Sequence, residues 1–318
     1  MRRMRPQWSP RIGWNDLPPH VRAGVEGVLG EPVAEFAGQQ GGFSPGSADR
    51  VVTPTGRRAF VKAVGPALNA ASPGIHRREA AVAAVLPGTL PTASLIGTFD
   101  DGEWIALVLT DVDGRHPHLP WQPDEVGLVL DALVTVARTP VLPALGHLPD
   151  LASEVGPEFA GWERVRANPP HDAADWVMEN VQVLERLAAR GVEDLRGECL
   201  VHTDLRADNI LITPANAAVL IDWPWACVGA GWFDAVSVLI NTRVFDSVFE
   251  VEPLLLSHPI FDGVAPESID GVLSGFGGYF TDAARQPPPA GLPTLRAFQR
   301  QQGDAVLGWL RERLAARS

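Results

Sequence analysis

Asp204, Asn209 and Asp222 stand in the run Val201-His202-Thr203-Asp204-Leu205-Arg206-Ala207-Asp208-Asn209 and its continuation Ile221-Asp222-Trp223. Asn209 follows Asp204 by five residues, and Asp222 comes thirteen further on. Each block is framed by apolar residues: Cys199-Leu200-Val201 before, Ile210-Leu211-Ile212 between, and Ala218-Val219-Leu220-Ile221 leading into the last Asp. Moving a phosphoryl group from ATP to a hydroxyl needs one carboxylate at the acceptor and two oxygen ligands for Mg²⁺. One loop and one following strand supply all three here. Asp204 is the candidate base that orients the hydroxyl and takes its proton. Asn209 and Asp222 are the candidate Mg²⁺ ligands, and Arg206, two residues past the base, is placed to offset charge on the transferring group. No second histidine lies at ligand spacing from His202, so a structural role holding this loop is expected for it. The run is not an EF-hand, because its third position lacks Asp or Asn, its sixth lacks glycine, and Ala215 replaces the final Glu.

The N-terminal part offers a complementary set. Of 26 basic residues 25 are arginine, and the only lysine is Lys62. It lies in Arg58-Ala59-Phe60-Val61-Lys62-Ala63-Val64, a strand pattern. A compact ammonium on an inward strand face would neutralise nucleotide phosphates, and a helix carboxylate would hold it. Glu79, seventeen residues on in the alanine-rich run Ile75 to Leu86, suits that partnership. Upstream, Gly38-Gln39-Gln40-Gly41-Gly42-Phe43-Ser44-Pro45-Gly46 matches neither G-x-G-x-x-G nor the P-loop. Backbone amides around Gly41, Gly42 and Ser44 can still approach phosphates, although a plain hairpin turn reads almost as well.

These residues need elements to position them. Val21 to Leu29 reads as a short helix ended by Gly30; Val33 to Ala37, Arg50 to Thr53 and Arg58 to Val64 as strands; Leu95 to Phe99 and Trp104 to Leu109 as two more. Thr110 to Pro117 breaks regular structure, so the expected division is residues 1–110, a nucleotide-binding sheet and helix, and residues 111–318, the catalytic loop and substrate-binding helices. Helical periodicity covers Asp124 to Arg138, Asp172 to Arg190 (N-capped by Asp172, closed by Gly191), Trp232 to Arg243, Pro266 to Ala284 and Thr294 to Ala316.

Composition narrows the class. The 318 residues are 46% hydrophobic and carry a net charge of −12, which disfavours general binding to nucleic acid. Residues 111–318 hold 15 basic and 29 acidic side chains, a field that attracts a cationic acceptor. No apolar run approaches membrane-span length, and two cysteines make no disulfide framework, so free thiols in a reducing cytoplasm are expected. The sequence leaves the oligomeric state open.

On His202 to Asn209 with Ile221-Asp222-Trp223, the chain resembles the aminoglycoside phosphotransferase family, relatives of choline kinases and protein kinases. The likeness extends to Lys62, Glu79 and the hinge-like Leu107-Val108-Leu109-Thr110-Asp111. It implies a bilobal α+β protein-kinase-like fold: a five-stranded antiparallel N-lobe sheet plus a helix, a mostly helical C-lobe, and ATP with Mg²⁺ in the cleft. The family usually has glycine where Thr203 stands, often histidine in place of Arg206, and commonly an acidic residue near Trp225. The implied activity is transfer of the γ-phosphate of ATP to a hydroxyl of a small molecule, cationic in the manner of an amino-sugar or amino-alcohol. A non-catalytic nucleotide-binding module is the alternative. Trp223 to Gly231 leaves little room for the activation segment of a protein kinase.

Overall fold

The computed structural model describes residues 11–39, 45–141, 143–170, 174–289 and 293–317. Gly41, Gly42, Ser44 and Asp172 lie outside these described residues. In chain order the elements are α1 (Pro19–Leu29), β1 (Glu35–Gly38), β2 (Ser47–Val52), β3 (Arg58–Val64), α2 (Ser72–Ala83), β4 (Leu95–Asp100), β5 (Ile105–Thr110), α3 (Pro123–Arg138), α4 (Leu151–Phe159), α5 (Gly161–Ala167), α6 (Asp175–Asp194), β6 (Cys199–Val201), β7 (Ile210–Ile212), β8 (Ala218–Leu220), β9 (Cys227–Gly229), α7 (Phe233–Phe245), α8 (Glu252–Ser257), α9 (Pro266–Ala284) and α10 (Leu295–Ala315). They fall into two compact units. One holds the described residues through Pro117 with Ala207–Trp225; the other holds His118–Arg206 with the described residues from Ala226 onward.

In the first unit β1 to β5 form one antiparallel sheet in the order β1-β2-β3-β5-β4. Side chains alternate between its faces. On one face Ala59, Val61, Ala63, Ala106 and Val108 pack with Val21, Val25 and Leu29 of α1. On the other, Val64, Ile105, Leu107 and Leu109 cluster with Phe60 and with Ala80 of α2. Lys62 shares the parity of Phe60 and Val64, so the strand period itself sends it toward α2. Two helices therefore flank the sheet, α1 as well as α2. Gly46 enters β2 at φ 122°, and a Cβ there would sit 2.5 Å from the Ala63 carbonyl oxygen, so only glycine fits that turn.

A single division after residue 110 does not describe these contacts. The β7–β8 hairpin joins the sheet-bearing unit because Arg115 and Ile212 exchange backbone hydrogen bonds of 3.0 and 2.7 Å, and the Leu220 N–H donates to Pro91 O at 2.8 Å. Backbone pairing outweighs sequence position here.

The second unit is helical apart from the β6–β9 pair. Its helix α6 runs through Gly191 to Asp194, so that glycine is not a cap. A Cβ on Gly191 would lie 2.5 Å from the Gly271 carbonyl carbon in α9. The glycine lets two helices touch backbone to backbone, a use that looks the same in sequence as a helix stop. Helices α4 and α5 carry no expectation from sequence; Gly156 and Pro157 inside α4 hide its periodicity. No described helix is long and apolar enough to cross a membrane.

Candidate active site

Within the first unit, Lys62 Nζ lies 2.8 and 3.0 Å from the two carboxylate oxygens of Glu79 and 3.1 Å from Oδ1 of Asp222. The Glu79 side chain is buried, whereas that of Asp222 remains 39% exposed, leaving it open to a ligand. Burial opposes the charge on Lys62, but the Asp222 and Glu79 carboxylates outweigh it and hold the ammonium above its ordinary range. Burial raises Glu79, against the pull of Lys62. The sheet register builds the rest: Ala48 pairs with Lys62, and Phe60 with Leu109. Ala48, Phe60 and Leu109, with Ala93 and Ile221, line one cavity that Lys62, Glu79, Asp208, Asn209 and Asp222 also face. Lys62, Glu79 and Asp222 make one charged end, and the Arg50–Asp111 pair adds charge where β5 ends.

The hairpin sets the charged end. Asn209 closes a short 3-10 turn (Ala207–Asn209) and its carbonyl accepts the Ile221 N–H at 3.0 Å, which ties the residue before Asp222 to Asn209. Asp222 itself takes φ 72°, a conformation that turns the chain sharply after β8. Trp223 is packing: its indole N–H donates to Leu220 O at 3.0 Å. Trp225 lies under the Arg78 guanidinium, 4.8 Å from the ring centroid. Arg50 and Arg58 grip Asp111 at 3.2 and 2.7 Å, fixing the chain as it leaves β5.

In the second unit, the loop after β6 carries Asp204 and Arg206, which form an ion pair. The loop hangs on Asp234 in the first turn of α7. Its carboxylate accepts the His202 N–H at 2.6 Å and the Thr203 N–H at 2.8 Å. Burial raises Asp234, while His202 and the two backbone donors act the other way. Thr203 adopts φ 70°, costly for a β-branched residue, which accounts for the usual glycine of the resembled family at this point. His202 is fully buried and its Nδ1 accepts the Asp204 N–H at 3.3 Å, a structural role.

Three further side chains, linked to these groups by charge or by a shared cavity, carry no signal in the sequence. Glu158 on α4 is raised by burial and by the charges of Glu154 and, to a smaller extent, Asp204. Tyr279 on α9, the chain's only tyrosine, is raised by burial and by Glu158 and Asp204. Arg11 lines the cavity that holds Lys62. No spacing rule links any of them to the motif; only packing does. Among the described residues no group of three or more His, Cys, Asp or Glu could hold a metal by itself. Asp222 and Asn209 both line the cavity and carry side-chain oxygens of the kind that could hold Mg²⁺ together with oxygens of a ligand.

Solved structures share this fold at low identity. An aminoglycoside phosphotransferase from Alicyclobacillus acidocaldarius superposes with TM-score 0.56 at 16% identity, over 94% of this chain and 97% of that one. A choline kinase from Streptococcus pneumoniae gives 0.59 at 16%, over 92% and 98%. A thermostable mutant of the aminoglycoside phosphotransferase APH(4)-Ia, in ternary complex with ADP and hygromycin B, gives 0.58 at 15%, over 91% and 98%. No curated protein sequence matches the chain. The model of the phosphotransferase enzyme family matches residues 43–255, well over half of the 318, and so takes in Lys62, Glu79, Asp204, Asn209, Asp222 and Asp234. With a five-stranded antiparallel sheet in one unit, a helical second unit and that match, the chain belongs to the phosphotransferase enzyme family and is a phosphotransferase of kinase-like fold.

Proposed function

We propose that the protein transfers the γ-phosphoryl group of ATP, with Mg²⁺, to a hydroxyl of a small molecule. The observation that carries this reading is the position of Lys62 Nζ, held by Glu79 at 2.8 Å and Asp222 at 3.1 Å at one charged end of that cavity. Bound ATP would supply the transferable group, and Mg²⁺ would neutralise charge on it. Lys62 contacts the nucleotide phosphates, and Glu79 keeps its ammonium in place. Asp222 and Asn209 offer oxygens to the metal. Asp204 orients the acceptor hydroxyl and takes its proton, while Arg206, its ion-pair partner, stands ready to compensate charge on the moving group. Gly41, Gly42 and Ser44 are assigned to the nucleotide's phosphates on their residue types alone. Residues 1–110 thus serve the nucleotide and residues 111–318 the acceptor, except that Asn209 and Asp222 work on the nucleotide side.

A cationic acceptor is supported by the 29 acidic side chains of residues 111–318, by Glu158, whose charge is felt together with that of Asp204, and by fold relatives named for aminoglycosides and choline. The free thiols of Cys199 and Cys227 suit a reducing cytoplasm.

ADP release by the purified protein, followed over a panel of amino-sugars and amino-alcohols, tests the reading. At least one acceptor is expected to stimulate Mg²⁺-dependent turnover. Asp204→Ala is expected to lower kcat by about 10²- to 10⁴-fold while ADP affinity stays within threefold. Wild-type turnover in Asp204→Ala removes that residue as the base. Nucleotide binding with neither hydrolysis nor transfer makes the protein a non-catalytic module.

A further inference from the structure

We propose that Arg11 is a second phosphate-binding cation of the nucleotide site, delivered by the segment that precedes α1. The inference rests on the nucleotide reading above. Arg11 lines the same cavity as Lys62, Asn209 and Asp222. Its place is set by an anchored stretch of chain. Ile12, Trp14 and Leu17 pack into the core between α1 and the sheet. The Trp14 N–H also donates to Asp49 Oδ1 on β2 at 3.3 Å, and Asp49 is 1% exposed. A side chain three residues from such an anchor has little freedom to leave the site.

Charge balance gives that position a purpose. Three basic side chains (Arg11, Arg50 and Lys62) and four acidic ones (Glu79, Asp111, Asp208 and Asp222) face the cavity. Arg50 is engaged with Asp111, and Lys62 with Glu79. Without Arg11 the lining would carry two more negative than positive charges, a poor receptor for a polyphosphate. Arg11 shares this cavity with Asp222 and Asn209, and a guanidinium is a cation at any physiological pH. The chain has no other lysine to take this role. A guanidinium meets phosphate oxygens with two parallel N–H donors, a stronger contact than a neutral hydrogen bond.

The test compares ADP with adenosine, which shares the base and sugar but has no phosphate. Titration calorimetry with Mg²⁺ is run on the wild-type protein, Arg11→Gln, Arg11→Met and Arg11→Lys. Loss of the guanidinium is expected to weaken ADP about ten- to hundredfold and to leave adenosine within twofold, with Arg11→Lys, which keeps the charge but not the paired donors, recovering only part of the loss. Arg11→Met keeps the apolar stem, so it reads the same difference should Arg11→Gln fail to fold. An unchanged ADP-to-adenosine ratio in the folded variants, or an equal loss for both ligands, overturns the proposal and leaves Arg11 a purely structural residue. Absence of ADP binding by the wild-type protein removes the nucleotide reading itself.

Discussion

Replacing Asp234 with alanine isolates what holds the loop that bears Asp204. The carboxylate accepts two backbone N–H groups, from His202 at 2.6 Å and Thr203 at 2.8 Å, and is 1% exposed. A hydrogen bond to a charged acceptor is worth roughly 1.5–3 kcal/mol, so about 3–6 kcal/mol of gross interaction disappears. Some returns, because a buried carboxylate held in its charged form against desolvation is also removed. A net local loss of about 3 kcal/mol remains. Thr203 adds leverage: its left-handed backbone costs roughly 1–2 kcal/mol, and the grip on its own N–H is what sustains it. Once that grip is gone, the loop relaxes and Asp204 moves. Amide hydrogen exchange at His202 and Thr203 is expected to accelerate about a hundredfold, the equivalent of about 3 kcal/mol. The same variant is expected to lose kcat with little change in the KM for nucleotide, because Lys62 and Asp222 are untouched. Asp234→Asn, which keeps the shape but turns one acceptor into a donor, is expected to fall between. Exchange at both amides within threefold of wild type, together with an unchanged kcat, would refute the idea that this carboxylate holds the loop.

Two further outcomes follow from other parts of the molecule. Burial, aided by the Lys62 charge, pulls His76 down to about 4, whereas the unfolded chain takes up that proton near pH 6.5. Stability is therefore full above about pH 6.5 and falls as pH drops toward 4, by about 2 kcal/mol at pH 5 and about 3 kcal/mol beyond the window. His76→Gln is expected to flatten this slope in denaturation midpoints measured between pH 7.5 and 5, and an unaltered slope would assign the loss to other groups. Gly191→Ala forces α6 and α9 apart, because the new methyl would meet Gly271 backbone at 2.5 Å, and a loss of about 3 kcal/mol is expected. Gly127→Ala on α3, where nothing lies within 4 Å, is expected to be neutral or stabilising by up to about 1 kcal/mol, so equal melting temperatures for the two variants would contradict the close-contact argument.

Residue type and local spacing already contained a large part of this protein. Strand β3 and helix α9 have the bounds that their period-2 and period-3.6 patterns predict, because each pattern reports one continuous face meeting one core. Parity along β3 puts Lys62 on the α2 side of the sheet, and the Lys62–Glu79 contact that the residue types anticipated is present at 2.8 Å. What the sequence withheld depends on which segments meet. Gly191 reads as a helix stop, and only the approach of Gly271 from α9 makes it a helix contact. Strand β9 has three residues, too few for a period, and exists because β6 pairs with it. The grouping of the β7–β8 hairpin with the sheet, the left-handed turns at Thr203 and Asp222, and the delivery of Arg11 to the Lys62 cavity all arise from backbone pairing and burial between segments far apart in the chain. Local patterns set what each segment is able to become, because they act through neighbours a few residues away. The partners come from packing, a sum over the whole chain that no window of sequence contains.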